Sequence, residues 1–311
     1  MEKNKTIIRK SNHSGIILVM RVCGYHFSRW RRNNRVIMSF LLAGVISFLL
    51  TEKVMNFSLE NKTTLQLFEP FIWVYGDGAS ILLCALAAIL LFADMPFLDG
   101  AVPYYLIRIK IRIWVLGQIL YITCATFLYT LFTLLVTCLL CSRNAFIGNM
   151  WSPTAALLGY SKYGEKIAVP AMLKTFELSN PFSCMETIFI LILLYVLLSV
   201  LVMFIVTVWK NQIAGITSAF LFHIFGYVLN PDWFKVTLGL SEKTAYIANI
   251  LCGWVSPLRQ VTYHLHNFGY DMLPRLQDTY LIFSSIIIML FILIIWRMKR
   301  YSFHFLGTME E

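Results

Sequence analysis

The chain reads as an all-α integral membrane domain. It has six transmembrane helices, an amphipathic in-plane helix before them, and short extracytoplasmic helices between them. Three observations predict this. The first is composition: of 311 residues, 59% are hydrophobic and only 14% charged, against about 45–50% and roughly 25% in soluble globular chains. So few charges make a poor polar shell for a soluble body of this length, and the extra apolar surface calls for lipid. The second is the presence of six long apolar runs. The third is the uneven partition of basic residues among the segments between those runs.

A bilayer core about 30 Å thick takes roughly 20 helical residues to cross. Val36–Thr51 is free of charge and extends to Met55 with Glu52 and Lys53 at its edge. Gly78–Ala93 is the second run, led by Phe71-Ile72-Trp73-Val74-Tyr75. Ile113–Ser142 gives 30 residues without a charge, Thr187–Trp209 gives 23, Asn211–Pro231 gives 21 and Thr279–Trp296 gives 18. The fourth and fifth runs are separated by little more than Lys210-Asn211, which predicts a tight antiparallel hairpin. The domain organisation is then 1–35 as a cytoplasmic start, 36–296 as the transmembrane domain and 297–311 as a cytoplasmic tail.

Orientation follows from charge. Segments 1–35, 94–112, 210 and 297–311 carry 16 Lys and Arg and 5 Asp and Glu. Segments 52–77, 143–186 and 232–278 are longer, yet carry 10 and 11. Basic excess favours the cytoplasmic side, so both termini are expected there. Trp73, Trp114, Trp151, Trp209, Trp233 and Trp296 mark expected borders with the headgroups. The net charge of +10 therefore reads as membrane orientation and not as a nucleic-acid surface.

Within the cytoplasmic start, Ile16, Met20, Cys23, Phe27 and Trp30 fall on one helix face, and Arg21, Ser28 and Arg32 fall on another. That spacing suits a helix lying on the inner leaflet. The apolar stretch Ala245–Leu251, followed by Trp254-Val255, predicts short helices in segment 232–278 that dip back toward the membrane. No signal peptide is expected, because the first apolar run starts late and lacks a small-residue cleavage site.

The chemistry in the spans is sparse. No run holds a centred acid or base, which argues against an ion-coupled transporter. Asp77 is expected at the outer rim of the second span. His223 lies well inside the fifth and reads as a hydrogen-bonding group of the bundle before a proton or metal site. His264 and His266 read as members of a solvated loop. Cys138 and Cys141 read as packing residues; Cys184 and Cys252 fall in predicted outer loops where a disulfide is conceivable. No metal ligand set, catalytic group or cofactor site is predicted, and no GxxxxGK[ST] loop exists to hold ATP. The chain is expected not to be an enzyme.

The connector between the second and third spans carries the functional reading. It runs from Asp94 through Phe97, Asp99, Gly100, Tyr104 and Arg108 to Arg112, in the stretch ADMPFLDGAVPYYLIRIKIRIWVLGQILYI. Pro96, Gly100 and Pro103 break it from the second span. If it is helical, Tyr104, Arg108 and Arg112 share a face. Arg108, Lys110 and Arg112 alone suit a positive-inside anchor, but that leaves Asp94, Asp99 and Gly100 without a role.

This stretch, with the amphipathic start and the long segment 232–278, resembles the permease subunits of type-2 ATP-binding-cassette exporters of the small, six-span bacterial kind. The resemblance implies a bacterial plasma-membrane protein whose connector docks on a separate cytoplasmic ATP-binding subunit. It also implies pairing with a second permease copy or a homologous permease within the lipid bilayer, with ATP held by the partner and none in this chain. It further implies export of a hydrophobic or amphipathic substrate. Two other classes stand beside it: a non-transporting membrane protein such as an assembly factor or sensor, and a secondary transporter or channel.

Overall fold

The computed structural model describes residues 2–96, 109–161, 163–166, 169, 171, 173–241, 244–269 and 271–300, with side chains from residue 15 onward except 165 and 166. Those residues are almost wholly helical. In chain order the helices are α1 (Glu2–Ser28), α2 (Asn34–Glu60), α3 (Glu69–Tyr75), α4 (Gly78–Phe92), α5 (Ile111–Cys141), α6 (Pro153–Tyr160), α7 (Tyr163–Lys166), α8 (Leu173–Leu178), α9 (Pro181–Trp209), α10 (Gln212–Val228), α11 (Pro231–Leu238), α12 (Ala245–Val255), α13 (Pro257–Val261) and α14 (Leu276–Met298). The departure from an all-helical chain is small. Strands β1 (Leu65–Gln66) and β2 (Ala145–Phe146) pair in parallel, Leu65 beside Ala145 and Gln66 beside Phe146.

Each of the six expected runs is a helix. Four of them, α2, α5, α9 and α14, are long and apolar enough to cross a membrane unaided. The other two are short. α4 has 15 residues and α10 has 17, or about 22 and 25 Å at 1.5 Å per residue. Each joins a further helix at a sharp bend: α3 meets α4 at 89°, and α10 meets α11 at 75°. Among the described residues, then, four helices are long and apolar enough to cross a membrane, or up to six when each bent pair counts as one. Asp77, expected at the rim of the second span, sits at the first bend and caps α4 by accepting from Ala79 N at 3.1 Å and Ser80 N at 3.2 Å.

Packing explains why the fourth run is so uniformly apolar. α9 is the central post, with 72% of its most apolar window buried by protein, against 28% for α2 and for α14. A helix apolar all round must be covered on every side. Here α10, α14, α5, α3 and α4 cover it, and Leu191, Ile192, Tyr195, Val196 and Phe204 are fully buried. The α9–α10 hairpin closes tightly because Gly215 has no side chain: a Cβ there would lie 1.9 Å from Thr207 Oγ1 and 2.8 Å from the Met203 carbonyl.

The segments grouped by charge are also grouped in space. Asn33 and Arg35, before and in α2, meet Asp94 after α4, and Gln212 at the start of α10 meets Ala93. This end is called inner here for its basic residues. At the other end, the residues around α3, α6–α8 and α11–α13 form a cap. The apolar stretch Ala245–Val255 is helical, as α12, but the short helix that folds back onto the bundle is α13, which buries Leu258 and Val261 against α4, α9 and α10.

Several expectations need correction. α1 does not carry its apolar residues on one lipid-facing side. Cys23 is buried, Phe27 meets Tyr121 edge to face, and Trp30 packs on Phe40, while Ile16 and Met20 stay exposed. The cause is Gly117 in α5. It lets α1 approach until a Cβ at 117 would lie 2.6 Å from Val22 Cβ, so half of the stripe packs on protein. His266 is not solvated but fully buried. Cys184 lies in α9, and not in a loop. It belongs to the main core and Cys252 to a separate small cluster, and both are free thiols.

Candidate functional site

The connector's two ends are described and its middle is not. Phe97, Asp99, Gly100, Tyr104 and Arg108 lie outside the described residues; Asp94 and Arg112 lie within them. Arg112 is exposed in the first turn of α5. Asp94 is partly exposed and is the hub of a junction at the inner end.

Four contacts make that junction. Asp94 forms an ion pair with Arg35 Nη1 and accepts a hydrogen bond from Asn33 Nδ2 at 3.3 Å. Asn33 also caps α2, its Oδ1 accepting from Arg35 N at 3.0 Å. Gln212, first residue of α10, donates through Nε2 to the Ala93 carbonyl. Gln118, fully buried in α5, donates through Nε2 to the Pro96 carbonyl. The root of the connector is thus bonded to the start of α2, to α5 and to the α9–α10 hairpin. Separately, Trp30 ties the bend before α2 to α5, its indole N–H donating to Tyr121 Oη at 2.9 Å.

The electrostatics are lopsided. Arg29, Arg31, Arg32 and Arg35 crowd the bend between α1 and α2, and among the described residues Asp94 is the one acid lining the cavities beside them. Two cavities open there. One of about 330 Å³ is lined by His26, Arg29, Trp30, Asp94, Tyr121 and Gln212. The other, about 840 Å³, is lined by the four arginines with Tyr25, Asn33 and Asp94.

The bundle interior offers a different surface. Thr126, Thr130, Thr133 and Thr137 form a buried stripe along α5. Their hydroxyls donate to carbonyls of their own helix, Thr126 to Ile122 O at 2.8 Å and Thr130 to Thr126 O at 3.0 Å. Tyr129 Oη donates to Cys84 O at 2.8 Å, and Ser47 Oγ lies 2.8 Å from Tyr75 Oη. His223 takes the bundle role expected of it, with Nδ1 2.8 Å from Tyr195 Oη. Tyr129, Ser47 and His223 thus tie neighbouring helices together, whereas the threonine hydroxyls are satisfied within α5.

The cap is held by a network that the sequence reading passed over. Glu69 is fully buried. Its carboxylate accepts from Ser152 N at 2.7 Å, from Ser152 Oγ and from Gln66 N at 3.2 Å. Asn144 Nδ2 donates to Thr63 O and Ser58 Oγ, both at 2.8 Å. A signal was present: Glu69-Pro70 opens an apolar helix, and an acid followed by five buried apolar or aromatic residues needs donors nearby. Nearby, His266 Nδ1 lies 3.0 Å from Tyr263 O and Nε2 lies 3.1 Å from Thr279 Oγ1. Burial lowers its pKa below the usual histidine value, with Lys174 adding to the effect.

No protein-family model matches the chain, and neither a curated protein nor a solved structure does. The functional reading therefore rests on the junction and the sequence around it.

Proposed function

We propose that the chain is the transmembrane permease subunit of an ATP-binding-cassette exporter. In this reading both termini and the connector face the cytoplasm of a bacterial cell, and the chain sits in the plasma membrane beside a second permease. A separate cytoplasmic subunit binds and hydrolyses ATP; this chain performs no chemistry of its own. The substrate class is hydrophobic or amphipathic.

The observation that supports this most is the bonding at the root of the connector. A motor outside the membrane biases a helical bundle only through contacts that differ between two states. The connector is the longest inner loop, whereas the α9–α10 turn is too short to offer much surface. Asp94, Ala93 and Pro96 pass any displacement of the connector to α2, α10 and α5. Phe97 and Tyr104 supply aromatic anchors of the kind that carry interface energy, and Asp99 and Arg108 set register by charge. Arg112, at the foot of α5, holds the far end of the connector at the membrane edge.

Co-isolation tests the assignment. The tagged full chain, purified from the membranes that make it, is expected to bring down an ATP-hydrolysing subunit in stoichiometric amount and to bind no ATP alone. Recovery of the chain in transport-competent membranes with no associated ATPase, or stoichiometric ATP binding by the lone chain, would overturn it.

A further inference from the structure

Beyond the coupling role, the bend between α1 and α2 has the makings of a ligand site. Arg29, Arg31, Arg32 and Arg35 line one cavity of about 840 Å³, with Asn33 and Tyr25 on its wall. The single acid in that lining among the described residues, Asp94, is already paired with Arg35. Arg31 and Arg32 are exposed and have no acidic partner among the described residues. Like charges held this close are unfavourable without an anion among them, and guanidinium groups match the geometry of phosphate oxygens by paired N–H donors.

The surroundings choose the kind of anion. Along α1, starting about 14 Å before Arg29 at 1.5 Å per residue, Ile16, Ile17 and Met20 are exposed at 66, 52 and 61%. The first span exposes Ile37, Met38 and Leu41 on leaving the bend. The arginines therefore sit at the level where a polar boundary meets two apolar helix surfaces. A soluble anion has no use for those surfaces. A lipid has, since its chains cover them while its phosphate lies among the guanidinium groups.

We propose that this cavity binds the headgroup phosphate of an anionic phospholipid, with Arg31 and Arg32 as its main ligands and Asn33 as a supporting donor. The bound lipid would fix the angle between α1 and α2, and through Asn33 and Asp94 the position of the connector's root. The site depends on α1 lying at the membrane surface and does not depend on an ATPase.

Native mass spectrometry of the detergent-solubilised full chain tests it. The probes are short-chain phosphatidylglycerol, short-chain phosphatidylcholine and glycerol phosphate. The expected result is saturable binding of one phosphatidylglycerol per chain, at least about ten-fold tighter than the other two probes. R31Q/R32Q should lose that preference about ten-fold. R21Q/K299Q removes the same charge elsewhere on the inner end and should change it less than about two-fold. Equal weakening by both double variants would make the effect diffuse charge attraction and sink the proposal. So would equal binding of phosphatidylcholine, and tight binding of glycerol phosphate would mean a soluble phosphate site. If R31Q/R32Q misfolds, R31K/R32K decides: it keeps the charge but not the paired donors, and should still weaken binding measurably. All of these outcomes are read without any ATPase, so they stand apart from the test of the permease assignment.

Discussion

At the outer end, Glu69 gathers three donors from two separate segments, Thr63 meets Thr154 at 2.7 Å, and β1 pairs with β2. At the inner end, among the described residues, one exposed ion pair and a few amide bonds cross between segments, and two cavities lie open beside four arginines. The same helices run through both ends, so the difference is not one of fold. Buried hydrogen bonds fix segments in one arrangement, because breaking any of them strands a desolvated group. Exposed charge pairs cost little to break and remake. A machine driven from one end needs a firm far end and a near end that changes partners cheaply, and this division of bonding fits that need.

The comparison predicts where substitutions hurt. The largest loss of stability should come from Glu69→Ala, which leaves two N–H groups and a hydroxyl without their acceptor; at about 1–3 kcal/mol for each stranded group, several kcal/mol are at stake. Thermal unfolding of the purified chain would read this, and a loss under about 1 kcal/mol would mean that the cap is not the firm end. Next comes Gly215→Ala, whose Cβ would collide with Thr207 and with the Met203 backbone. Overpacking of this kind costs about 1–3 kcal/mol, whereas Gly44→Ala, with nothing nearer than 3.8 Å, should be close to neutral in the same assay.

The cap should also respond to pH through His266. Burial holds its folded pKa below the ordinary 6.5, so the unfolded chain takes up the proton first as acidity rises. The stability tied to the neutral ring is therefore complete above about pH 6.5 and is lost as pH falls from there through the folded pKa. His266→Gln should make the unfolding midpoint fall less, or rise more, between pH 8 and pH 5 than in the unaltered chain, whatever it does to stability at pH 8. The smallest effect is expected from Arg35→Ala. Its pair with Asp94 is exposed at 51 and 39%, and such pairs contribute about 0–1 kcal/mol. A loss comparable to that of Glu69→Ala would erase the contrast between the two ends.

Much of the helical plan was legible because lipid imposes it. Thr187–Trp209 reads as a helix from its length alone, and α9 covers it with a few residues added at the start. The grouping of segments by charge is matched in space by the meeting of Asn33, Asp94 and Gln212. What escaped the sequence was contact between elements. Nothing local to Gly117 says that α1 will press on it, so Cys23 and Phe27 read as lipid-facing. The bends at Gly76-Asp77 and Asn230-Pro231 escaped too, because apolar content continues through both and only the direction of the axis changes. Glu69 was overlooked for a related reason: its partner Ser152 is 83 residues away. Of the connector, the sequence gives the residue types and the fold gives the two roots. Phe97, Asp99, Gly100, Tyr104 and Arg108 are judged by their chemistry.

The claim at the centre is that the connector binds the motor and its root relays the motion, and these two roles separate in one experiment. ATPase association and ATP turnover are measured side by side for F97A/D99A and for D94A/Q212A, with membrane insertion checked for each. The account predicts that F97A/D99A inserts but loses association by at least about ten-fold. It predicts that D94A/Q212A keeps association and loses most of the coupled turnover. Full association and full activity in F97A/D99A would reduce the connector to a membrane anchor and contradict the account.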